Sequence, residues 1–220
     1  MVVMAPKDEN ELRHMLKTSI YHPGPSALRY PRGSGLGVEM DEEIKQIEIG
    51  KGEVIKDGKD LAIIAFGSMV DPSMKTAAML EESGISVAVI NARFAKPIDK
   101  NLIMEYAKKT GCIVTTEEHS VQGGFGSAVL EALQDFDEHI PLKTKCIGVP
   151  DIVVEHGAPG IIKKDLKLDP EGMFETICSF INVTISSKSN GNGAKPSSSN
   201  GKNDLKNDIK KSIATQTANG

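Results

Sequence analysis

The stretch GPSALRYPRG, from Gly24 to Gly33, predicts a short buried strand at residues 26–30 that is closed on both sides by turn residues. Pro31 cannot donate a hydrogen bond to a neighbouring strand, so the strand must end there. Arg32 follows on a rigid Pro-Arg-Gly corner, and ligands of α/β proteins bind where strands end. A guanidinium fork suits a phosphate or a carboxylate, because several donors meet several oxygens at once. The alternative is structural, with Arg29 and Arg32 paired to acidic neighbours.

The composition is that of an ordinary globular protein. The chain has 220 residues, room for one or two domains, with 39% hydrophobic residues, 25% charged residues and a formal net charge of −4. This charge gives no electrostatic reason to expect a nucleic acid or an anionic membrane as a partner. No apolar run reaches the roughly 20 residues that span a bilayer, and the N-terminus lacks a signal-peptide pattern. We therefore expect a cytoplasmic protein, or a protein of the plastid stroma if the source is a plant or alga.

The cysteines do not predict chemistry. Cys112, Cys146 and Cys178 are far apart in the sequence, and no two of them form a CxxC motif. Their odd number argues against a disulfide framework. Cys112 and Cys146 lie within apolar runs, which is typical of small buried core residues rather than of nucleophiles or metal ligands. The cysteines therefore indicate a reducing compartment.

The first 32 residues predict a strand, a helix and a second strand. The apolar run VVMA near the N-terminus predicts a buried parallel strand. Asp8 and Glu11 have the spacing of a helix capping box, and apolar residues then recur at helical spacing. Together with the strand at 26–30 they form a βαβ unit that is too small to bury both faces of its own sheet. Unless another strand joins it, we expect residues 1–32 to be poorly ordered or to expose VVMA.

The rest of the chain predicts an α/β domain between two polar segments. Predicted strands cover residues 53–56, 61–66, 86–90, 112–116 and 142–149, and predicted helices cover residues 72–82, 98–109, 126–133 and 170–181. This alternation predicts a mostly parallel sheet in a three-layer domain at 53–182, with 53–56 as the candidate antiparallel edge strand. Residues 33–52 predict a glycine-rich linker. Residues 183–220 predict a disordered polar tail, because they hold too few apolar residues to offset the entropy of ordering.

Two neighbouring motifs of this domain carry candidate chemistry. Glu117, Glu118 and His119 follow the strand at 112–116, and two carboxylates beside a histidine should stabilise its cationic form. His119 would be a general acid or base, or part of a surface ion pair, and we favour the ion pair. The GGFG motif at 123–126 precedes a helix, where free N–H groups can hold a phosphate. GGFG matches neither GxGxxG nor a P-loop, so we favour packing between domains or subunits.

Other charged residues have open interpretations. Arg93 and Lys96, in NARFAKPID, follow the strand at 86–90. They would line the crevice at the carboxyl edge of the sheet, or brace the sheet against a neighbouring subunit. His14 lies within the first helix and His22 near its end, and we interpret His14 as a packing or surface residue and His22 as a residue that complements the helix end.

Four motifs, in this order, resemble a known family: APKDENELRHML, GPSALRYPRG, NARFAKPID and EEHSVQGGFGSAV. They resemble the C-terminal third of the 1-deoxy-D-xylulose-5-phosphate synthases, thiamine diphosphate-dependent enzymes of the transketolase family. The resemblance covers residues 1–181. It implies that residues 1–32 end the domain that binds the aminopyrimidine of the cofactor, and that residues 53–182 form a transketolase C-terminal-like domain. It also implies that Arg32 contacts the phosphate of the substrate glyceraldehyde 3-phosphate.

The resemblance implies a function for the whole enzyme. The family condenses pyruvate with glyceraldehyde 3-phosphate, with loss of CO₂, to 1-deoxy-D-xylulose 5-phosphate for isoprenoid, thiamine and pyridoxal synthesis. The enzyme uses thiamine diphosphate and Mg²⁺, but its Gly-Asp-Gly motif does not occur here, and its catalytic histidines and glutamate belong to parts that this chain lacks. We therefore expect no catalytic, cofactor-binding or metal-binding residue in this chain, and no activity from it alone.

The resemblance also implies partners and leaves alternatives. The expected partners are a second copy in a homodimer or the N-terminal part of a synthase, together with small-molecule substrates. The alternatives are a truncated gene model or incomplete reading of the gene, one half of a split enzyme, or a non-catalytic remnant used for dimerisation or regulation. The C-terminal part of a transketolase or of a 2-oxo acid dehydrogenase β subunit is a further alternative.

Overall fold

The computed structural model describes residues 1–136 and 140–182, so the predicted tail at 183–220 lies outside the described residues. The strands of the described chain are β1 (Val2–Met4), β2 (Ser26–Leu28), β3 (Glu53–Lys56), β4 (Leu61–Ala65), β5 (Val87–Asn91), β6 (Phe94–Lys96), β7 (Cys112–Ser120) and β8 (Lys143–Val149). The helices are α1 (Glu9–Tyr21), α2 (Val70–Glu82), α3 (Lys100–Thr110), α4 (Phe125–Gln134), α5 (Pro159–Asp165) and α6 (Pro170–Phe180). A 3₁₀ turn at Gly67–Met69 leads into α2.

The described strands form two sheets. The larger sheet has the strand order β3-β5-β4-β7-β8, and all of its pairs are parallel except β3 with β5. The smaller sheet has the order β2-β1-β6, with β1 parallel to β2 and antiparallel to β6. The predicted α/β class and the antiparallel edge strand at Glu53–Lys56 are confirmed.

Strand β4 lies at the centre of the larger sheet and is buried on both faces. Leu61 and Ile63 pack in an apolar cluster with side chains of α2 and α6. Ala62 and Ile64 point the other way, into a cluster with side chains of α3 and α4. Alternate side chains of a strand face opposite sides of its sheet, so β4 needs apolar residues at every position. The result is the predicted three-layer arrangement of helices, sheet and helices.

The first strand obtains its missing neighbour from a segment just after β5. Strand β6, which the sequence did not predict, pairs with β1, and Phe94 packs with Met4 and Met15 in a third apolar cluster. VVMA is therefore not left exposed, since Val2 and Met4 are buried. Strand β2 lies at the edge of this sheet and is only half-buried. The prediction of a buried strand over residues 26–30 is thus wrong in its burial and two residues too long.

Residues 33–52 form no helix or strand until β3 begins, and their middle part lies along α1. Lys45 donates its backbone N–H to Nδ1 of His14 at 2.8 Å, and the other ring nitrogen of His14 contacts Asp41 at 2.8 Å. Ile47 donates its backbone N–H to the hydroxyl of Thr18 at 2.8 Å. His14 therefore has a packing role, as predicted, because it fixes this segment against the helix.

Candidate functional site

Arg32 lies in the loop after β2, at the wall of a cavity of about 450 Å³. The other walls come from the segment leading into α1, from α1 itself, from the rest of the loop and from the 3₁₀ turn. The remaining lining residues are Pro6, Lys7, Asp8, Glu9, Leu12, Tyr30, Pro31, Gly33, Ser34, Gly35, Leu36 and Ser68. Arg32 is exposed, and within residues 1–136 and 140–182 it forms no hydrogen bond or ion pair. Its guanidinium is therefore available to an anion that enters the cavity.

Arg29, the other arginine of the motif, has the structural role. Its Nη1 donates to Oε2 of Glu118 at 2.8 Å, and Glu118 also pairs with Lys163. Burial opposes ionisation of this carboxyl, but Lys163 and Arg29 overcome it and lower the pKa of Glu118 to about 2. The ion pairs link β2, β7 and α5. The structural alternative drawn from the sequence thus holds for Arg29 and fails for Arg32.

A second group of charges lies around the buried carboxylate of Glu11, near the start of α1. Arg93 donates its Nε–H to Glu11 at 2.7 Å, and the Asn91 amide donates to both carboxylate oxygens at 2.9 and 3.0 Å. Lys7 donates its backbone N–H at 2.8 Å and its ammonium at 3.3 Å. Burial disfavours the charge of Glu11, yet Lys7 and Arg93 hold its pKa below the ordinary value. Glu11 therefore binds α1 to the end of β5.

The contacts of Arg93 lie within its own chain, so the crevice interpretation of NARFAKPID is wrong for Arg93, whereas bracing against a neighbouring subunit stays a prediction. Its Nη2 reaches Glu53 at 2.9 Å while its Nε bonds to Glu11, so it joins α1 to β3 within one chain. Its backbone has φ +59°, an uncommon conformation for a residue other than glycine. Lys96 ends β6 and is exposed. Arg93 therefore braces the sheet against the N-terminal segment of the same chain and does not line a crevice.

The GGFG motif holds an internal carboxylate instead of a phosphate. The backbone N–H groups of Phe125 and Gly126, at the start of α4, donate to the buried Glu117 carboxylate at 2.6 and 2.8 Å. A Cβ atom on Gly124 would lie 2.3 Å from Oε2 of Glu117, so a glycine is required for this approach. Burial raises the pKa of Glu117 in spite of the two donors. The phosphate interpretation of GGFG is wrong, and packing between domains or subunits stays a prediction.

His119 differs from its prediction. Strand β7 runs on to Ser120, so His119 lies on the strand and not after it. Burial lowers the pKa of His119, Arg29 lowers it further, and Glu118 only partly opposes them. The expectation that the cationic form is stabilised is therefore wrong. The ring packs beside Phe66, with 6.0 Å between the ring centroids, which favours a structural role.

The buried cysteines have thiols of low reactivity. Burial raises the pKa of the Cys112 thiol to about 12 and that of the Cys178 thiol to about 11. Thiols are nucleophiles and metal ligands only as thiolates, so neither is suited to these roles. Cys112 is a core residue as predicted, whereas Cys146 is only partly buried and not a core residue. Within the described part of the chain, no three or more His, Cys, Asp or Glu residues are placed to share a metal ion.

The fold and the motifs define a class of protein. Residues 50–173 match the family described as the transketolase C-terminal domain, and this match covers more than half of the chain. The chain therefore belongs to the transketolase C-terminal domain family. No helix among the described residues is both long enough and apolar enough to cross a membrane.

Its curated relatives are 1-deoxy-D-xylulose-5-phosphate synthases. The chain is 56% identical over 179 residues to the synthase of Thermosynechococcus vestitus and 50% identical over 181 residues to synthase 1 of Geobacter sulfurreducens. These matches cover 80% and 82% of this chain but 28% of each relative. The chain thus corresponds to a C-terminal portion of these synthases.

Solved structures agree with this placement. One is described as a split gene transketolase, inactive beta4 tetramer; it has a TM-score of 0.71 and 33% identity, and the match covers 83% of this chain and 57% of that one. The transketolase of Campylobacter jejuni subsp. jejuni has a TM-score of 0.58 and 16% identity over 81% of this chain and 26% of its own, and shares the fold.

Proposed function

We propose that this chain is the C-terminal portion of a working 1-deoxy-D-xylulose-5-phosphate synthase and that Arg32 binds the phosphate of glyceraldehyde 3-phosphate. The observation that carries the proposal is the unpaired guanidinium of Arg32 at a cavity of about 450 Å³. A volume of this size is in the range of small-molecule sites. A charge-assisted hydrogen bond contributes about 1.5–3 kcal/mol, so Arg32 would supply substrate affinity and orientation.

Lys7 lines the same cavity but is a weaker candidate for this role. Its ammonium is 3.0 Å from Glu53 and 3.3 Å from Glu11. Although burial acts against its charge, these carboxylates raise the pKa of Lys7 above the ordinary value. Lys7 therefore adds positive potential at the wall, while its hydrogen bonds are already taken by protein groups.

The described residues do not fit thiamine diphosphate and Mg²⁺. The loop at the start of α4 holds Glu117 in place of a diphosphate, and no metal-ligand group is present among the described residues. We propose that the rest of the synthase, whether on the same or on a second chain, supplies the cofactor and the acid–base residues. This chain would bind and orient the phosphate end of the acceptor. A cytoplasmic location remains our expectation.

A two-chain enzyme is the arrangement that we favour for the partner. The similar solved structure described as a split gene transketolase is an inactive tetramer of one subunit type, which supports a synthase piece that folds and self-associates without catalysing. Association of this chain with itself alone would correspond to the dimerisation or regulatory alternative. Association with an N-terminal portion that restores activity would correspond to the synthase.

The experiment measures CO₂ release from pyruvate and glyceraldehyde 3-phosphate, with thiamine diphosphate and Mg²⁺ present. The chain is assayed alone and then with a separately expressed N-terminal portion of a related synthase. We expect activity only in the mixture. Absence of activity in a mixture that forms a complex by size-exclusion chromatography would contradict the proposal and favour the non-catalytic alternative. Activity of the chain alone would contradict the assignment of the acid–base residues to the partner.

A further inference from the structure

One carboxylate accepts the hydrogen bonds that join residues 30–40, the part of the loop that carries Arg32, to the rest of the described chain. Glu9 accepts hydrogen bonds from three consecutive backbone N–H groups of this loop. The donors are Leu36, Gly37 and Val38, at 2.9, 2.6 and 3.2 Å. Within the described ranges, no other hydrogen bond joins residues 30–40 to another segment. Glu9 is therefore the hydrogen-bonded anchor nearest to Arg32, and the chain is anchored to α1 again only from Asp41 onward.

The loop backbone is shaped for this contact. A Cβ atom at Gly35 would lie 2.5 Å from Oε1 of Glu9, so a larger residue would displace the carboxylate or the loop. Gly37 has φ +80°, a conformation that side-chain-bearing residues rarely adopt. Both glycines let successive N–H groups converge on one anion, which is the arrangement of a backbone nest.

Glu9 is itself held in place at the start of α1. Asp8 caps the helix by accepting the backbone N–H of Glu11 at 2.7 Å, and a carboxylate in the first turn is favoured by the helix dipole. Glu9, Gly35 and Arg32 all line the same cavity. Helix α1, which is fixed in the fold, thus holds the loop that carries Arg32 at the wall of the cavity.

We propose that Glu9 is a positioning residue for Arg32, which holds the Arg32 loop at the cavity so that the guanidinium is already placed when a phosphate binds. This inference rests on the function proposed above. Ordering a free loop on binding costs free energy, and a tethered loop has already lost most of that freedom. Removing the tether should therefore weaken phosphate binding without removing any group that touches the phosphate.

The test is a titration of the 220-residue chain with inorganic phosphate, followed by NMR of the Arg32 side chain and of the loop amides. We expect Glu9→Gln to weaken phosphate binding by about tenfold, because a neutral amide replaces the charged acceptor of three N–H bonds. The amide resonances of Leu36 and Gly37 should also move upfield before any phosphate is added. Glu42→Gln, at an exposed glutamate of the same segment, is the matched control and should change neither observable.

A second variant separates loop position from charge. Gly35→Ala keeps the carboxylate of Glu9 but crowds it, so it should weaken phosphate binding by a similar factor. Because both substitutions break the same contact, the double variant should bind phosphate no more weakly than either single variant. Gly160→Ala, whose added Cβ meets no atom within 4 Å, is the glycine control.

The outcomes separate this inference from the function on which it rests. If Arg32→Ala weakens phosphate binding while Glu9→Gln and Gly35→Ala bind as wild type does, the role of Glu9 is overturned and the function of Arg32 stands. If the wild-type chain shows no saturable phosphate binding, or if Arg32→Ala binds equally well, both proposals are overturned. Weakening by all three substitutions, with unchanged controls, supports both.

Discussion

Two charged sites lie near the start of α1, and they differ in whether their charges are paired within the chain. In the first, the buried carboxylate of Glu11 receives donors from Arg93, Asn91 and Lys7. In the second, Arg32 lies at the wall of a cavity and has no partner among the described residues. Charges that join elements of the fold are thus paired within the chain. Arg32, which has no such partner among the described residues, is the charge that we propose meets a ligand.

The bonds of Glu11 also join the N-terminal segment to the rest of the fold. Glu11 lies in α1, whereas Asn91 and Arg93 lie at the end of β5 and just after it, so their bonds join α1 to the larger sheet. Strand β6, which follows β5, makes a second connection by pairing with β1. A buried ion pair is not by itself evidence of net stabilisation, but removing one partner leaves an uncompensated charge.

The largest expected effect is the loss of stability when the Glu11 carboxylate is removed. Glu11→Ala should lower the free energy of unfolding by about 3–5 kcal/mol, because it leaves the Arg93 guanidinium and the Asn91 amide without their acceptor. Urea unfolding at neutral pH measures this loss. Glu42→Ala, at an exposed site, is the control and should change the free energy of unfolding by less than about 0.5 kcal/mol. A loss below about 1 kcal/mol for Glu11→Ala would mean that the cluster does not join the two regions.

The next effect is a dependence of stability on pH at Glu118. Its pKa of about 2 in the folded chain lies below the ordinary carboxyl value, so its ionised form is favoured by folding. The stabilisation is present at pH values above the ordinary carboxyl pKa and is lost as the pH falls towards 2. Between about pH 7 and pH 3, the Glu118→Gln variant should lose less stability than wild type, by on the order of 2 kcal/mol. Parallel pH profiles for the two proteins would rule out this role of the Arg29–Glu118–Lys163 contacts.

A smaller dependence of stability on pH is expected at His119. Stability again falls as the pH falls, but over the histidine range of pH. Because its pKa is lowered in the folded chain, protonation opposes folding, and stability falls as the pH drops through the ordinary histidine range. An NMR titration of the ring should give a midpoint below the ordinary value. His119→Gln should remove this part of the pH dependence. A midpoint above the ordinary value would restore the interpretation as a stabilised cation.

The smallest effect on stability is expected at Arg32. Arg32→Ala should change the free energy of unfolding by less than about 0.5 kcal/mol, because no described contact is lost. The same urea experiment as for Glu11→Ala provides the measurement. A loss above about 1 kcal/mol would show that Arg32 is part of the fold and would weaken the contrast between the two regions.

Local patterns predicted the elements whose apolar residues recur regularly. Strand β3 was predicted with its observed bounds, and the helix that begins at Pro170 was predicted to within one residue of its end. Strand β6 has three residues and pairs with β1, which lies far away in the sequence, so only the tertiary structure reveals it. The sequence did not predict helix α5, because none of its seven residues is buried and they form no apolar stripe.

At the site, sequence alone could not separate the two arginines of the RYPRG motif. Both have the same chemistry, and their different roles follow from Glu118, which lies 89 residues further along the chain and reaches only Arg29. The predicted stabilisation of the His119 cation is wrong for a related reason, although the favoured contact with a carboxylate is present. Glu117 lies 3.7 Å from Nδ1 of His119 but is used to hold the start of α4, and burial together with Arg29 outweighs Glu118 in setting the pKa. The sequence assigned Glu11 only to a capping box with Asp8 and assigned no role to Glu9.

The most direct test of the account is steady-state kinetics of this chain reconstituted with the N-terminal portion of a related synthase, in wild-type form and with Arg32→Ala. If Arg32 binds the phosphate of glyceraldehyde 3-phosphate, the KM for that substrate should rise by about tenfold or more, because one charge-assisted contact is lost. The KM for pyruvate, which carries no phosphate, should stay within about twofold of wild type. Equal changes in both KM values, or no change in either, would contradict the assignment of Arg32.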